Sequence, residues 1–118
     1  MEKGFMGLMA WQKAYALALE IYKVTKEYPK DELYGLTSQM RRAAISVSAN
    51  IAEGYERQYR KSYLQFLMIA NGSLGEVESY LLLSKDLGYI DDRRHAVISD
   101  IRQDTGRLLK GLIRSLQA

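Results

Sequence analysis

Apolar side chains return every three or four residues along nearly the whole chain, and a single proline, Pro29, interrupts them. That period lines up one side of an α-helix, and no segment alternates as a half-buried strand does. An all-α fold follows. The first helix is expected from about Leu8 to Glu27. Trp11, Ala14, Tyr15, Ala18, Ile21 and Tyr22 share its inner face, with Leu17 and Val24 at the edge. It stops before Pro29, because the residue preceding a proline avoids helical geometry. The second helix begins between Glu32 and Thr37 and is expected to end at Gly54 in a left-handed turn. Leu36, Met40, Ala43, Val47 and Ile51 form its apolar face. Arg42, Ser46, Ala49, Glu53 and Arg57 fall opposite, with Asn50 at the border.

The third helix is expected from about Arg60 to Leu87, with Gly88 as its stop. Tyr63, Phe66, Leu67, Ala70, Leu74, Val77 and Leu81 make its principal face. Leu64, Met68 and Leu82 form a second apolar stripe turned away from the first, and a helix apolar on two sides needs covering on two sides. An oligomer interface is therefore expected at Leu64, Met68 and Leu82. The fourth helix starts near Asp91 or Asp92, whose carboxylates suit a helix N-terminus. Val97, Ile98, Ile101, Leu108, Leu112 and Leu116 make its stripe. Short connections between long helices favour antiparallel neighbours, so the expected architecture is an up-down-up-down four-helix bundle in one domain spanning residues 1–118.

Composition narrows the chemistry. The chain has no cysteine, so disulfides, thiolate nucleophiles and cysteine-based zinc sites are excluded. A reducing, cytoplasmic compartment is the default expectation. No N-terminal stretch resembles a signal peptide, and no run is long enough to span a membrane. Carboxylate-bridged metals in bundles need inward Glu-x-x-His pairs, but the one histidine, His95, has no glutamate three residues before it. No metal or cofactor is expected. "ANGSLGEVE" has neither phosphate-loop nor nucleophile-elbow spacing. Gly72, Ser73 and Gly75 are instead expected to let another backbone come close. No catalytic triad can be built around a histidine at an exposed turn.

Two sets of residues remain. Glu53 or Glu76 is expected either to pair across helices with Arg41 or Arg42, helped by Asn50 and Ser73, or to lie on a plain solvated face. Arg57, Arg60 and Lys61 cluster with Tyr55 and Tyr59 around the second interhelical turn. Cations for phosphate and tyrosines for stacking are what single-stranded nucleic acid requires. Arg107, Lys110 and Arg114 form a second basic stripe, which also suits a helix C-terminus. Net charge is only +3. Such a cluster becomes a strong field only when an oligomer repeats it.

From "AWQKA" through "YGLTSQMRRAAISVSANIAEG" and "FLMIANGSLGEVESYLLLSKDLGYI" to "LLKGLIRSL", the chain resembles the four-helix-bundle proteins of the 23S rRNA intervening-sequence (S23) type. The resemblance implies an antiparallel four-helix bundle, commonly a homopentamer. It is similar also to the accessory variability protein of diversity-generating retroelements, a pentameric bundle associated with nucleic acid and a reverse transcriptase. The positions carried over are Arg41, Arg42, Asn50, Glu53, Gly54, Ser73 and Glu76, and no established catalysis attaches to them. Where the family often has a proline, this chain has Ser48, so a weaker kink is expected. The function implied is that of a non-enzymatic oligomer binding RNA or another nucleic acid, with a protein partner such as a reverse transcriptase. The alternative is a protein adaptor that binds no nucleic acid.

Overall fold

The computed structural model describes residues 3–118. Its four α-helices are α1 (Met9–Thr25), α2 (Leu36–Tyr55), α3 (Arg60–Asp86) and α4 (Asp92–Gln117), with short 3-10 turns at Gly4–Gly7 and Lys30–Glu32. There is no strand among the described residues. Each of α1 and α3 packs on both α2 and α4, while the diagonal pairs make no close backbone contact. Four helices touching in a closed ring make a four-helix bundle. Its extents are 43 × 26 × 25 Å.

Two ladders of contacts set the register. Gly54 lies against Tyr63 and Phe66, Ser46 meets Ser73, and Ser84 meets Met40, so α2 and α3 run antiparallel. Glu78 faces Arg102 and Leu74 faces Gly106, so α3 and α4 do too. The core runs through Leu17, Ile21, Met40, Ile51, Leu67 and Leu109. Asp91 caps α4 by accepting from the Arg94 N–H at 2.7 Å, as its carboxylate suggested. At the other end of that loop Gly88 adopts φ +81°, which stops α3. No helix among the described residues is long and apolar enough to cross a membrane.

Several inner faces differ from expectation. On α1 the buried seam is Ala10, Ala14, Leu17, Ile21 and Val24, while Tyr15 and Tyr22 are exposed. Spaced alternately four and three residues apart, these positions form one seam, its alanines letting neighbouring helices approach, and the larger rings are turned outward. On α4, Thr105 is fully buried and Val97 is half exposed. Thr105 fits the core because its hydroxyl donates to the Ile101 carbonyl at 2.8 Å. Helix α2 continues through Gly54, which has no left-handed backbone, and ends at Tyr55. Gly54 is a contact point: an added Cβ would lie 2.9 Å from the Tyr63 ring and 3.0 Å from the Phe66 Cβ. Gly72 and Gly75 are the reverse case, with nothing within 4 Å of an added Cβ. The close approach expected there is made by Ser73, which is buried and bonded to α2. Ser48 leaves α2 unbroken, its hydroxyl donating back to the Ile45 carbonyl.

One carboxylate ties the two loops at one end of the bundle. Glu32 accepts from the Leu36 N–H at 3.1 Å and from the Tyr89 hydroxyl at 2.8 Å. Both bonds favour the ionised form, the backbone one more, and hold its pKa below the ordinary glutamate value. A depressed folded-state pKa contributes stability above the unfolded value, about 4.3, that is lost as pH falls through the folded one. Glu32→Gln is expected to flatten the fall in thermal midpoint on acidification from pH 5 to 3. Equal losses in wild type and variant would show that this carboxylate carries none of that dependence.

Candidate nucleic-acid interface

The short connection after Tyr55 brings the end of α2 beside the start of α3, and the tyrosines there divide by role. Tyr55 packs edge-on against Tyr63, with ring centroids 6.2 Å apart. Tyr59 is 69% exposed, so its face is open to stacking. Arg57 is held by two partners: Glu53 at 2.8 Å and the Phe66 ring, 4.7 Å from its guanidinium carbon. Arg60 and Lys61 are exposed and form no ion pair among the described residues. The cluster therefore presents two free cations, one anchored cation and one open ring.

The α3–α4 register brings the second basic stripe toward the first. Glu78 faces Arg102 and Leu74 faces Gly106, so continuing the antiparallel ladder sets Arg114 near the level of Phe66. That is less than two turns from Arg60. Residues 53–61 and 104–114 together carry six cations against three carboxylates, a surplus equal to the chain's whole formal charge of +3. The excess positive charge thus lies toward the end of the bundle that holds the α2–α3 turn. Arg107 pairs with Asp104 at 3.0 Å on the exposed surface, whereas Lys110 and Arg114 make no ion pair among the described residues.

Between α3 and α4 lies an open groove of about 540 Å³. Arg102, Arg107, Lys110 and Arg114 line its α4 side, and Asn71, Gly75 and Glu78 its α3 side. Arg102 is the most buried of the charged residues there, with 16% of its side chain exposed and Glu78 3.6 Å away. Its Nε is buried without a hydrogen-bond partner. Arg102 and Asn71 are absent from the sequence-derived site because nothing local marks them. The available signal was two helix-interior glycines, Gly75 and Gly106, that serve no turn.

The polar residues of α2 and α3 are arranged differently from the expected cross-helix ion pair. Glu53 bonds along its own chain to Arg57, because four residues on a helix already place the two heads side by side. Arg41 turns toward α1, donating to Thr25 Oγ1 at 2.9 Å and stacking over Tyr22 at 4.6 Å. Arg42 and Glu76 are exposed on either side of a depression of about 200 Å³, without an ion pair among the described residues. What joins the two helices is a neutral chain. Ser73 Oγ donates to Ser46 Oγ at 2.8 Å, and Asn50 Nδ2 donates to Ser46 Oγ at 2.9 Å and to the Ser46 carbonyl at 2.8 Å. Ser46 is the shared acceptor that sequence spacing alone placed on the solvent side.

Leu64 packs against the core, whereas Met68 and Leu82 are 56% and 46% exposed. The latter two stand about 21 Å apart along α3. Asn71, Gly75 and Glu78 lie between them, so the stripe is interrupted by the polar groove. A more continuous exposed apolar ridge runs along α1 through Tyr15, Leu19 and Tyr22. His95 is half-buried, and the described residues contain no group of three or more histidine, aspartate or glutamate side chains placed to hold a metal ion.

The described residues form a four-helix bundle with a basic end. Residues 6–111 match the model of the 23S rRNA-intervening sequence protein family, and the chain belongs to that family. A crystal structure of a protein of unknown function from the S23 ribosomal protein family of Bacteroides thetaiotaomicron superposes with a TM-score of 0.82. The two are 24% identical, over 89% of this chain and 98% of that one, a likeness that concerns the fold. No curated protein matches the chain.

Proposed function

We propose that this protein is a non-enzymatic, homo-oligomeric bundle that binds single-stranded RNA through its basic end. The observation that carries this reading is the convergence of two basic sets on the same end of the α3–α4 side. Arg60 and Lys61 have no ion pair among the described residues, and Tyr59 offers an exposed ring beside them. Phosphate contacts give sequence-independent affinity, and an aromatic face adds stacking that every base can satisfy. Membership of a family described by an rRNA-intervening sequence agrees with an RNA ligand. Assembly as a homopentamer, expected from the resemblance, repeats the basic end around a ring and multiplies a field that one subunit makes weakly. The exposed α1 ridge supplies apolar surface for that assembly.

The test is titration of a fluorescent single-stranded RNA by wild type and by an Arg57→Ala, Arg60→Ala, Lys61→Ala variant at several salt concentrations. Removing one cation that neutralises a phosphate lowers the magnitude of the salt slope by about 0.7, so losing the two unpaired cations lowers it by about 1.4. Tyr59→Ala is expected to cost about 1–3 kcal/mol in affinity with little change in slope. Equal affinity and slope for the triple variant, with fold and mass intact, would remove this cluster from the interface. No wild-type binding at low salt, with recovery of a stoichiometric protein partner, would replace RNA binding by the adaptor reading.

A further inference from the structure

We propose that the α3–α4 groove is a phosphodiester track, in which the backbone of a single RNA strand runs lengthwise toward the basic end. This rests on the RNA-binding reading and adds a site to it: Arg102 at the floor, Arg107, Lys110 and Arg114 on one shoulder, and the Asn71 amide on the other. Arg102 to Arg114 spans about 18 Å of helix, the length of a short run of nucleotides rather than of one small anion. Four cations line this length against one lining carboxylate, Glu78, and Asp104 beside the groove pairs with Arg107, which leaves Lys110 and Arg114 without an ion pair among the described residues.

Two independent features mark the groove as shaped for an occupant. The first is its glycines. A glycine inside a helix costs stability relative to alanine, and the usual compensation is a neighbour that needs the space. At Gly75 nothing of this chain comes within 4 Å of an added Cβ, and at Gly106 the nearest atom is Leu74 Cδ1 at 3.9 Å. Neither is required by packing, yet together they keep the groove open. The second is Arg102. Its side chain is mostly buried, and its carboxylate neighbour is distant at 3.6 Å and half exposed. A largely desolvated guanidinium is stabilised by a close anion, and Glu78 supplies only a loose one. A phosphate entering the groove completes the neutralisation at its terminal nitrogens. Beyond Arg114 the same line leads to Arg60, Lys61 and the exposed Tyr59 ring, where an unpaired base can stack.

Filling the groove without changing charge separates a track from a diffuse field. Gly75→Leu places a side chain in the open space, and Gly111→Leu, at an α4 site with equally open space but no part in lining the groove, is the control. A fluorescein-labelled 12-nucleotide oligouridylate is titrated with each full-length protein across a salt series, after helicity and mass are checked. Gly75→Leu is expected to weaken binding at least about tenfold. The magnitude of its salt slope is expected to fall by about 0.7 for each phosphate displaced, although no protein charge has been removed. Lys110→Gln, an exposed change, is expected to lower the slope by about 0.7, and Gly111→Leu to match wild type. If Gly75→Leu and Lys110→Gln both bind as wild type does, the groove is not the track, while RNA binding by the basic end stands. If inorganic pyrophosphate binds in a Gly75-dependent way but RNA does not, the groove takes a free anion and the proposal is overturned. If wild type binds no oligouridylate at low salt, the RNA reading fails and this inference with it.

Discussion

Replacing Gly54 by valine is expected to destabilise the bundle by about 3 kcal/mol, the upper end of the usual cost of forcing bulk into a packed contact. A single Cβ at this position already meets the Tyr63 ring at 2.9 Å, the Phe66 Cβ at 3.0 Å and the Tyr63 carbonyl oxygen at 3.2 Å. A ring edge can shift, but a helical carbonyl moves only with its helix. Valine's two methyl groups therefore push α2 and α3 apart where they leave the interhelical turn. Gly54→Ala is expected to be milder, because alanine regains up to about 1 kcal/mol of helix propensity against the same clash. Urea unfolding followed by circular dichroism checks both, with a fall in midpoint of roughly 1.5 M for valine if the slope is near 2 kcal/mol per molar. A valine variant as stable as wild type would show that the end of α2 has room to spare. Gly75→Leu is the internal contrast, since the same class of substitution there meets open space.

That contrast also marks what the sequence could and could not disclose. Helix number, order and approximate ends were legible because they depend on local signals: the 3.6-residue period, Pro29, Gly88 and the Asp91 carboxylate. The roles of Gly54 and Gly75 were not, because a glycine reads the same whether it admits a neighbour or leaves a gap. The inner face of α1 was misread for a related reason. Ala14 and Ile21 lie inside as expected, but close packing also drew in Ala10 and the edge residues Leu17 and Val24, and left Tyr15 and Tyr22 outside. At the candidate site, Arg57, Arg60 and Lys61 cluster in sequence and were visible, whereas Arg102 is defined only by the helix that faces it. Of the two expectations, a cross-helix pair or a solvated face, Arg42 and Glu76 follow the second, because sequence spacing names possible partners without saying which lies nearest. Glu53 had Arg57 one turn away, and Arg41 had Thr25 and Tyr22 across α1.

The outward tyrosines lead to the second large effect: a Tyr15→Glu, Leu19→Glu variant is expected to be monomeric under conditions where wild type assembles. Tyr15 and Leu19 are 49% and 55% exposed, one turn apart, and Tyr22 extends the ridge at 38%. Tyr15 stacks on Trp11 with ring centroids 4.8 Å apart, and Tyr22 is held under Arg41, so the ridge is ordered before any partner arrives. A preordered apolar surface loses little entropy on association. Ile45, 43% exposed and one turn along α2 from Arg41, extends the apolar surface onto the next helix. Met68 and Leu82 lack this continuity, being separated by the polar groove. Placing unpaired carboxylates in a dry contact costs about 3–5 kcal/mol, which weakens association at least about 100-fold. Neither residue belongs to the buried core, so the subunit fold is expected to survive. Light scattering at micromolar concentration reads the outcome directly. An unchanged assembly mass would move the interface off α1, and a Met68→Glu, Leu82→Glu variant would then decide whether the interrupted α3 stripe carries it. A wild type that is itself monomeric would remove assembly, and with it the ring of repeated charge that the proposed RNA binding invokes.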